Sequence, residues 1–184
     1  DFCRRFDWGS IDQLQDIFND VRLRVWQKQR PDFFEEALID ADGTTVETFG
    51  ECKWGMDINY KGQWGYHPLL VSLANTGEPL FVVNRRGSRP SHEGAAEYLN
   101  RAVQLCLKGG FRSVRLRGDT DFTQTAYLDG WDEQGVKFVL GIDACENLYR
   151  HAEELPLADW KPLGRQQKPI RTKPRRKRTN VKKK

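Results

Sequence analysis

Apolar residues early in the chain recur at helical spacing. Over residues 11–29, Ile11, Leu14, Ile17, Phe18, Val21 and Val25 step by three and four positions, which gathers them on one helix face. Pro31 closes the pattern, because proline disfavours helical geometry in the residue before it and has no N–H to donate. This helix predicts packing, with no chemistry attached. The pattern then turns to strand. A first strand is expected over 36–49, followed by a hairpin-like stretch containing Gly50, Gly55, Gly62 and Gly65. A second strand over 65–74 carries Tyr66, Leu69, Val71 and Leu73, and the turn Asn75-Thr76-Gly77 leads to a third over 79–84.

Ser91 reads as a helix N-cap, with Glu93 in the first turn where the helix dipole favours an acid. That helix extends to about residue 108 with Ala95, Leu99, Ala102, Val103 and Cys106 as its buried stripe, and Gly109-Gly110 stops it. A fourth strand over 112–118, a short helix over 124–131 and a fifth strand over 136–141 complete the pattern. No internal repeat is present.

The order is β-β-β-α-β-α-β. Short turns alternate the direction of the first three strands, and a right-handed helical crossover returns the fourth parallel to the first. The expected class is α/β, a mixed sheet with the strand–helix order of a ribonuclease-H-like core.

Composition narrows the function classes. At 184 residues the chain is one domain of ordinary size, and no apolar run approaches the roughly 18 residues of a membrane span. Cys3, Cys52, Cys106 and Cys145 lie far apart, which fits neither a zinc clip nor a disulfide scaffold. No signal peptide is visible, and a chain that opens at Asp1, with Met56 as its only methionine, is expected to be a fragment.

Charge is unevenly spread. Residues 161–184 hold 12 Lys and Arg and no acid, while residues 1–160 keep 18 basic residues against all 26 acidic ones, a net of −8. With three prolines and few large apolar side chains, the basic segment is expected to be flexible alone. It reads either as a phosphate-binding tail, driven by counterion release, or as a solvated linker.

The chemistry candidates are carboxylates. Strand alternation points Asp40 and Asp42 the same way, between the apolar Ile39 and Ala41. Two acids on one face of a buried strand need a neutralising partner, and a divalent cation would serve. On the fourth strand Arg115 and Arg117 share a face with Asp119 just beyond it. If the first and fourth strands are neighbours, about 4.8 Å apart, Asp42 and Asp119 could clamp one ion. The alternatives are a turn at Asp42-Gly43 and a helix cap at Asp119.

Four segments carry a resemblance: Ile39-Asp40-Ala41-Asp42-Gly43-Thr44, Gly65-Tyr66-His67-Pro68-Leu69, Arg89-Pro90-Ser91-His92-Glu93-Gly94-Ala95 and Leu116-Arg117-Gly118-Asp119-Thr120-Asp121-Phe122. In this order and spacing they resemble bacterial insertion-sequence transposases of the DDE type, from about Val21 into the basic tail, where Pro174-Arg175-Arg176-Lys177-Arg178 is also similar. The resemblance implies a ribonuclease-H-like fold, Mg²⁺ or Mn²⁺ as cofactor, and cleavage of transposon ends followed by 3′-hydroxyl strand transfer. It implies double-stranded DNA, both ends and target, as partner, a homodimer when intact, and a cytoplasmic, nucleoid-associated location.

Carried over by motif, the catalytic and metal-binding acids are Asp42, before Gly43-Thr44, and Asp119, after Arg117-Gly118. Asp40 competes for the first role and Asp121 for the second. Thr120-Asp121 stands where the family often has Ser-Gly. The family's third acid, a helical Glu with Tyr, Arg and Lys at set spacings, has no counterpart after Gly141. Glu146, Glu153 and Glu154 read as acids of an exposed surface helix. The chain alone is therefore expected to cut DNA little or not at all.

The expected organisation is an N-terminal helical segment over 1–34, a transposase core over 35–160 that lacks the third acid, and the basic tail over 161–184. Lys173, Arg175, Arg176, Lys177 and Arg178 are its nucleic-acid contacts, with Arg115 and Arg117 as weaker ones. His67, His92 and His151 have no ligand-spaced partner and read as structural. The six tryptophans read as packing residues, and Ser88 and Ser91 belong to no readable catalytic triad. Two other readings stand beside the transposase: a DNA-binding module without catalysis, and a nuclease of the same fold.

Overall fold

The computed structural model describes residues 2–50, 52–162 and 164. Helix α1 (Trp8–Trp26) comes first, then strands β1 (Ala37–Gly43), β2 (Val46–Glu47), β3 (Asp57–Ile58), β4 (Trp64–Tyr66), β5 (Leu69–Leu73) and β6 (Glu78–Val83). Helix α2 (Ala95–Gly109) crosses to β7 (Val114–Gly118), α3 (Thr125–Glu133) to β8 (Lys137–Leu140), and α4 (Glu146–Glu153) follows. Five strands form the main sheet in the order β6-β5-β1-β7-β8, and a small sheet has the order β2-β4-β3. β1 and β6 each run antiparallel to β5, while β7 runs parallel to β1 and β8 parallel to β7. This is the ribonuclease-H-like mixed sheet expected from the strand–helix order.

Alternation along the strands builds the core. Ala37, Ile39 and Ala41 of β1, Leu69, Val71 and Leu73 of β5, and Val114 and Leu116 of β7 are all buried. They meet Ala95, Ala96, Leu99, Ala102, Val103 and Cys106 of α2 in one hydrophobic cluster. Each fully buried branched side chain contributes about 1.5–3 kcal/mol. Burial pushes the Cys106 thiol up to about 12, so it stays protonated. Opposite this packed face, Leu38, Asp40 and Asp42 of β1 alternate outward.

Several boundaries differ from the sequence reading. The strand expected over 36–49 breaks after Gly43: Thr44 N–H still donates in register to Pro68 O at 3.1 Å, but Pro68 has no N–H to return, and the ladder ends there. The strand expected over 65–74 splits at His67 and Pro68, since Pro68 has no N–H, although His67 N–H still donates in register to Arg85 O at 3.0 Å. Ser91 is not the N-cap of α2. The helix starts after Gly94, at φ +71°, because the Arg85 guanidinium takes the carbonyls of Ser91 and Glu93 at 3.0 and 2.8 Å.

Helix α1 forms where expected, but its apolar stripe is not what the domain buries. Asn19, Leu23 and Trp26 face inward. The Trp26 ring meets Phe111 edge-on at 5.3 Å, and its indole N–H donates to Glu78 Oε1 at 2.9 Å. Asp7 caps the helix by accepting Ser10 N–H at 2.8 Å. No helix among the described residues is long and apolar enough to cross a membrane.

Candidate functional site

The geometry of β1 and β7 fixes where the carboxylates go. Their parallel register pairs Ile39 with Leu116 and Asp40 with Arg117. Two residues further along, at the carboxyl ends of both strands, come Asp42 and Asp119. The ends of parallel strands in an open sheet form a natural crevice for ligands. Asp42 and Asp119 line one cleft of about 690 Å³, together with Asp121. Asp119 also caps the 3₁₀ turn Thr120–Phe122, its Oδ1 accepting Asp121 N–H at 3.0 Å. The cap reading of Asp119 is thus realised without removing it from the cleft.

Asp40 lies on the same face of β1 but has a different partner. Its two oxygens accept from Arg117 Nε at 2.6 Å and Nη2 at 2.8 Å. Hydrogen bonding and charge from Asp40 raise the Arg117 pKa in return. This corrects the expectation that two buried acids demand a cation: the face is open, Asp40 is 39% exposed, and Arg117 supplies its countercharge. Arg115 is likewise engaged, donating to Glu36 at 3.0 Å. Both arginines thus face a carboxylate within the domain.

The cleft walls come from segments whose partners are distant in sequence. His67 approaches Ser91 Oγ at 3.3 Å through Nε2 and Thr45 Oγ1 at 3.5 Å through Nδ1. Burial holds its pKa below the ordinary range, aided by the Arg85 charge and opposed by Asp42 and Asp121. Gly43 is small by necessity, since a Cβ there would lie 2.4 Å from His67 Nε2 and 2.8 Å from Ser91 Oγ. Buried Arg85 stiffens this wall, binding the carbonyl of His67 at 3.0 Å besides those of the 90–93 loop. The facing wall holds Tyr60 and Lys61 on a turn organised by Asn59, whose side chain accepts from the N–H groups of Lys61 and Gln63.

Residues 2–181 match the protein family described as transposase DDE domain group 1. The chain belongs to this family. Among solved structures, it is similar to the piggyBac transposase in a synaptic complex with hairpin DNA, at 14% identity and a TM-score of 0.46. That likeness covers 66% of this chain and 27% of the other, so the chain spans about a quarter of that transposase's length. No curated protein matches the chain.

In this transposase domain the remaining acids lie elsewhere. Glu146 and Glu153 sit on exposed α4 and Glu154 caps its end, and none of the three lines the cleft. Among the described residues, no group of three His, Cys, Asp or Glu side chains could hold a metal ion. Lys173, Arg175, Arg176, Lys177 and Arg178 lie outside the described residues.

The cleft's donor chemistry nonetheless suits a hard divalent cation. No hydrogen bond or ion pair among the described residues engages the Asp42 carboxylate, and the cap bond occupies only one oxygen of Asp119. Two carboxylates with room for waters match the preference of Mg²⁺ or Mn²⁺ for oxygen ligands.

Proposed function

We propose that this transposase domain supplies Asp42 and Asp119 as two acidic ligands of a metal-dependent, phosphodiester-cleaving centre. What supports the reading is that two residues 77 positions apart, each nominated by its own motif, line one cleft at the ends of adjacent parallel strands. Asp42 and Asp119 would hold Mg²⁺ or Mn²⁺. When bound, the cation supplies activation of water and stabilisation of charge on the scissile phosphate.

The chain's own residues do the positioning. Lys61 and Arg89 stand on the walls of the same cleft and offset the repulsion between a phosphate and the carboxylates. His67, held neutral at physiological pH, keeps Gly43 and Ser91 in register beside Asp42. In the intact protein, we infer cleavage of transposon ends, strand transfer by the freed 3′-hydroxyl, double-stranded DNA as partner, and a homodimeric assembly. Residues 161–184 form the phosphate-binding tail of a core over 35–160. A second reading, a DNA-binding module without catalysis, draws on the placement of Glu146, Glu153 and Glu154 away from the cleft. Residues 1–184 are accordingly expected to cut a cognate end little or not at all.

Iron-directed scission tests the centre without requiring turnover. Fe²⁺ placed at the carboxylate pair with ascorbate and peroxide should cut the backbone near residues 42 and 119. Asp42→Asn and Asp119→Asn should each suppress both cuts. Scattered scission that is indifferent to both substitutions contradicts the reading.

A further inference from the structure

Helix α1 shows two faces, and the domain uses one. Asn19, Leu23 and Trp26 are buried against the sheet and α2, while Asp12 and Asp16 pair with Arg101 at 3.1 Å each. The other face carries Ile11, Leu14, Phe18, Val21 and Val25, which stay between 38% and 60% exposed. Their spacing is 3-4-3-4, the a/d seam by which one helix packs on another. Ile17, 59% exposed, widens the stripe. With Pro79, Leu80 and Val82 of β6 it lines an open apolar groove of about 520 Å³.

The neighbouring sheet edge decides what kind of element can enter. β6 is the edge of the main sheet, yet part of its outward backbone is already used. Val82 N–H donates to Gln15 Oε1 at 2.8 Å, Arg22 Nη2 donates to Pro79 O at 2.6 Å, and Pro79 has no N–H. These contacts disfavour strand addition. The groove accepts a helix.

We propose that this helix is α1 of a second copy, packed antiparallel across a two-fold axis so that Leu14, Phe18 and Val21 of the two copies interdigitate. The stripe contains no charge and is complementary to itself, as an isologous interface requires. Direction follows from the flanking cations. Arg22 is already neutralised by Glu78 at 2.9 Å, so the deciding cation is Arg24: parallel packing would set it against its own copy, whereas antiparallel packing carries it to the Ile11–Asp12 turn of the other helix. The exposed apolar side chains amount to roughly 600 Å² per copy, so a pair removes on the order of 1,200 Å², the lower bound of a stable interface. A patch of that size is also at the upper end for a monomer's surface. The groove lies on the β6 side of the sheet, and none of its lining residues lines the Asp42–Asp119 cleft. The dimer deepens the homodimeric assembly inferred above, and does not depend on the metal-site reading.

Sedimentation equilibrium of the full chain tests this, at about 0.5 M salt to screen the basic tail. The wild type should show a reversible monomer–dimer equilibrium. Phe18→Glu should weaken dimerisation at least about 30-fold, the size of an interface hot spot. Because Phe18 is 60% exposed, its far-UV spectrum and unfolding midpoint should stay as in the wild type. Tyr149→Glu, on exposed α4, should leave the dimer intact. A wild type that stays monomeric to about 100 μM, a dimer unaffected by Phe18→Glu, or association without limit would each overturn the proposal. Mn²⁺ binding by the monomeric variant should equal that of the wild type, which separates failure of the dimer from failure of the metal centre.

Discussion

His67 shows how much of the cleft depends on a single side chain. It bridges the segments that hold Thr45 and Ser91, and a folded-state pKa below the ordinary value of about 6.5 means that the unfolded chain takes up the proton first. Its contribution is therefore intact above pH 6.5 and is lost as pH falls below that value. Thermal unfolding from pH 7.5 to 5.5 should show the wild type losing more stability than His67→Asn over this interval. Parallel profiles for the two proteins would argue against a neutral, wall-forming His67. At this scale strand alternation showed Asp40 and Asp42 on one face, and the fold order put Asp119 just past the neighbouring strand, but the strand expected over 36–49 hid that Asp42 stands near a strand end. The pairing of Asp40 was not legible, since it depends on the register between residues 77 apart. The hydrogen-bonding role of His67 was hidden for the same reason, with partners 22 and 24 positions away.

Helix α1 carries the lesson at the scale of elements. Its periodicity marked a helix and an apolar stripe, but periodicity cannot say which face the domain will cover. The anchor is instead Trp26, which is 2% exposed, in contact with Phe111 and hydrogen-bonded to Glu78. Gly109 leaves room for it, as a Cβ there would lie 2.6 Å from the ring. Trp26→Ala should cost about 3–5 kcal/mol in urea unfolding, against little change for the exposed Val25→Ala. Equal effects would mean that the helix docks by its other face. The strand breaks at Gly43 and Pro68 and the late start of α2 were beyond local reading for a related reason. At both strand breaks the ladder meets Pro68, which has no N–H to give, and at α2 the distant Arg85 guanidinium captures the Ser91 and Glu93 carbonyls.

Across the whole molecule, charge separation is the feature on which the proposed DNA contact rests. The first 160 residues are net negative, and on the proposed reading the 12 basic residues that follow would supply the attraction. Every phosphate they neutralise adds about 0.9 to the salt slope of duplex binding. Removing residues 161–184 should reduce that slope by several units and lower affinity similarly for all sequences, measured by fluorescence anisotropy across a salt series. An unchanged slope would rule out the tail's phosphate role. The sheet order was legible at this scale because short turns and one helical crossover leave few topologies open. The small β2-β4-β3 sheet was not, since strands of two or three residues leave no periodic trace.

The central claim is that Asp42 and Asp119 act together on one cation, and Mn²⁺ titration followed by electron paramagnetic resonance addresses it most directly. Asp42→Asn and Asp119→Asn should each weaken binding at least about tenfold. Asp40→Asn, whose carboxylate is already paired with Arg117, should bind nearly as the wild type does. Undiminished Mn²⁺ affinity in both Asp42→Asn and Asp119→Asn would contradict the account.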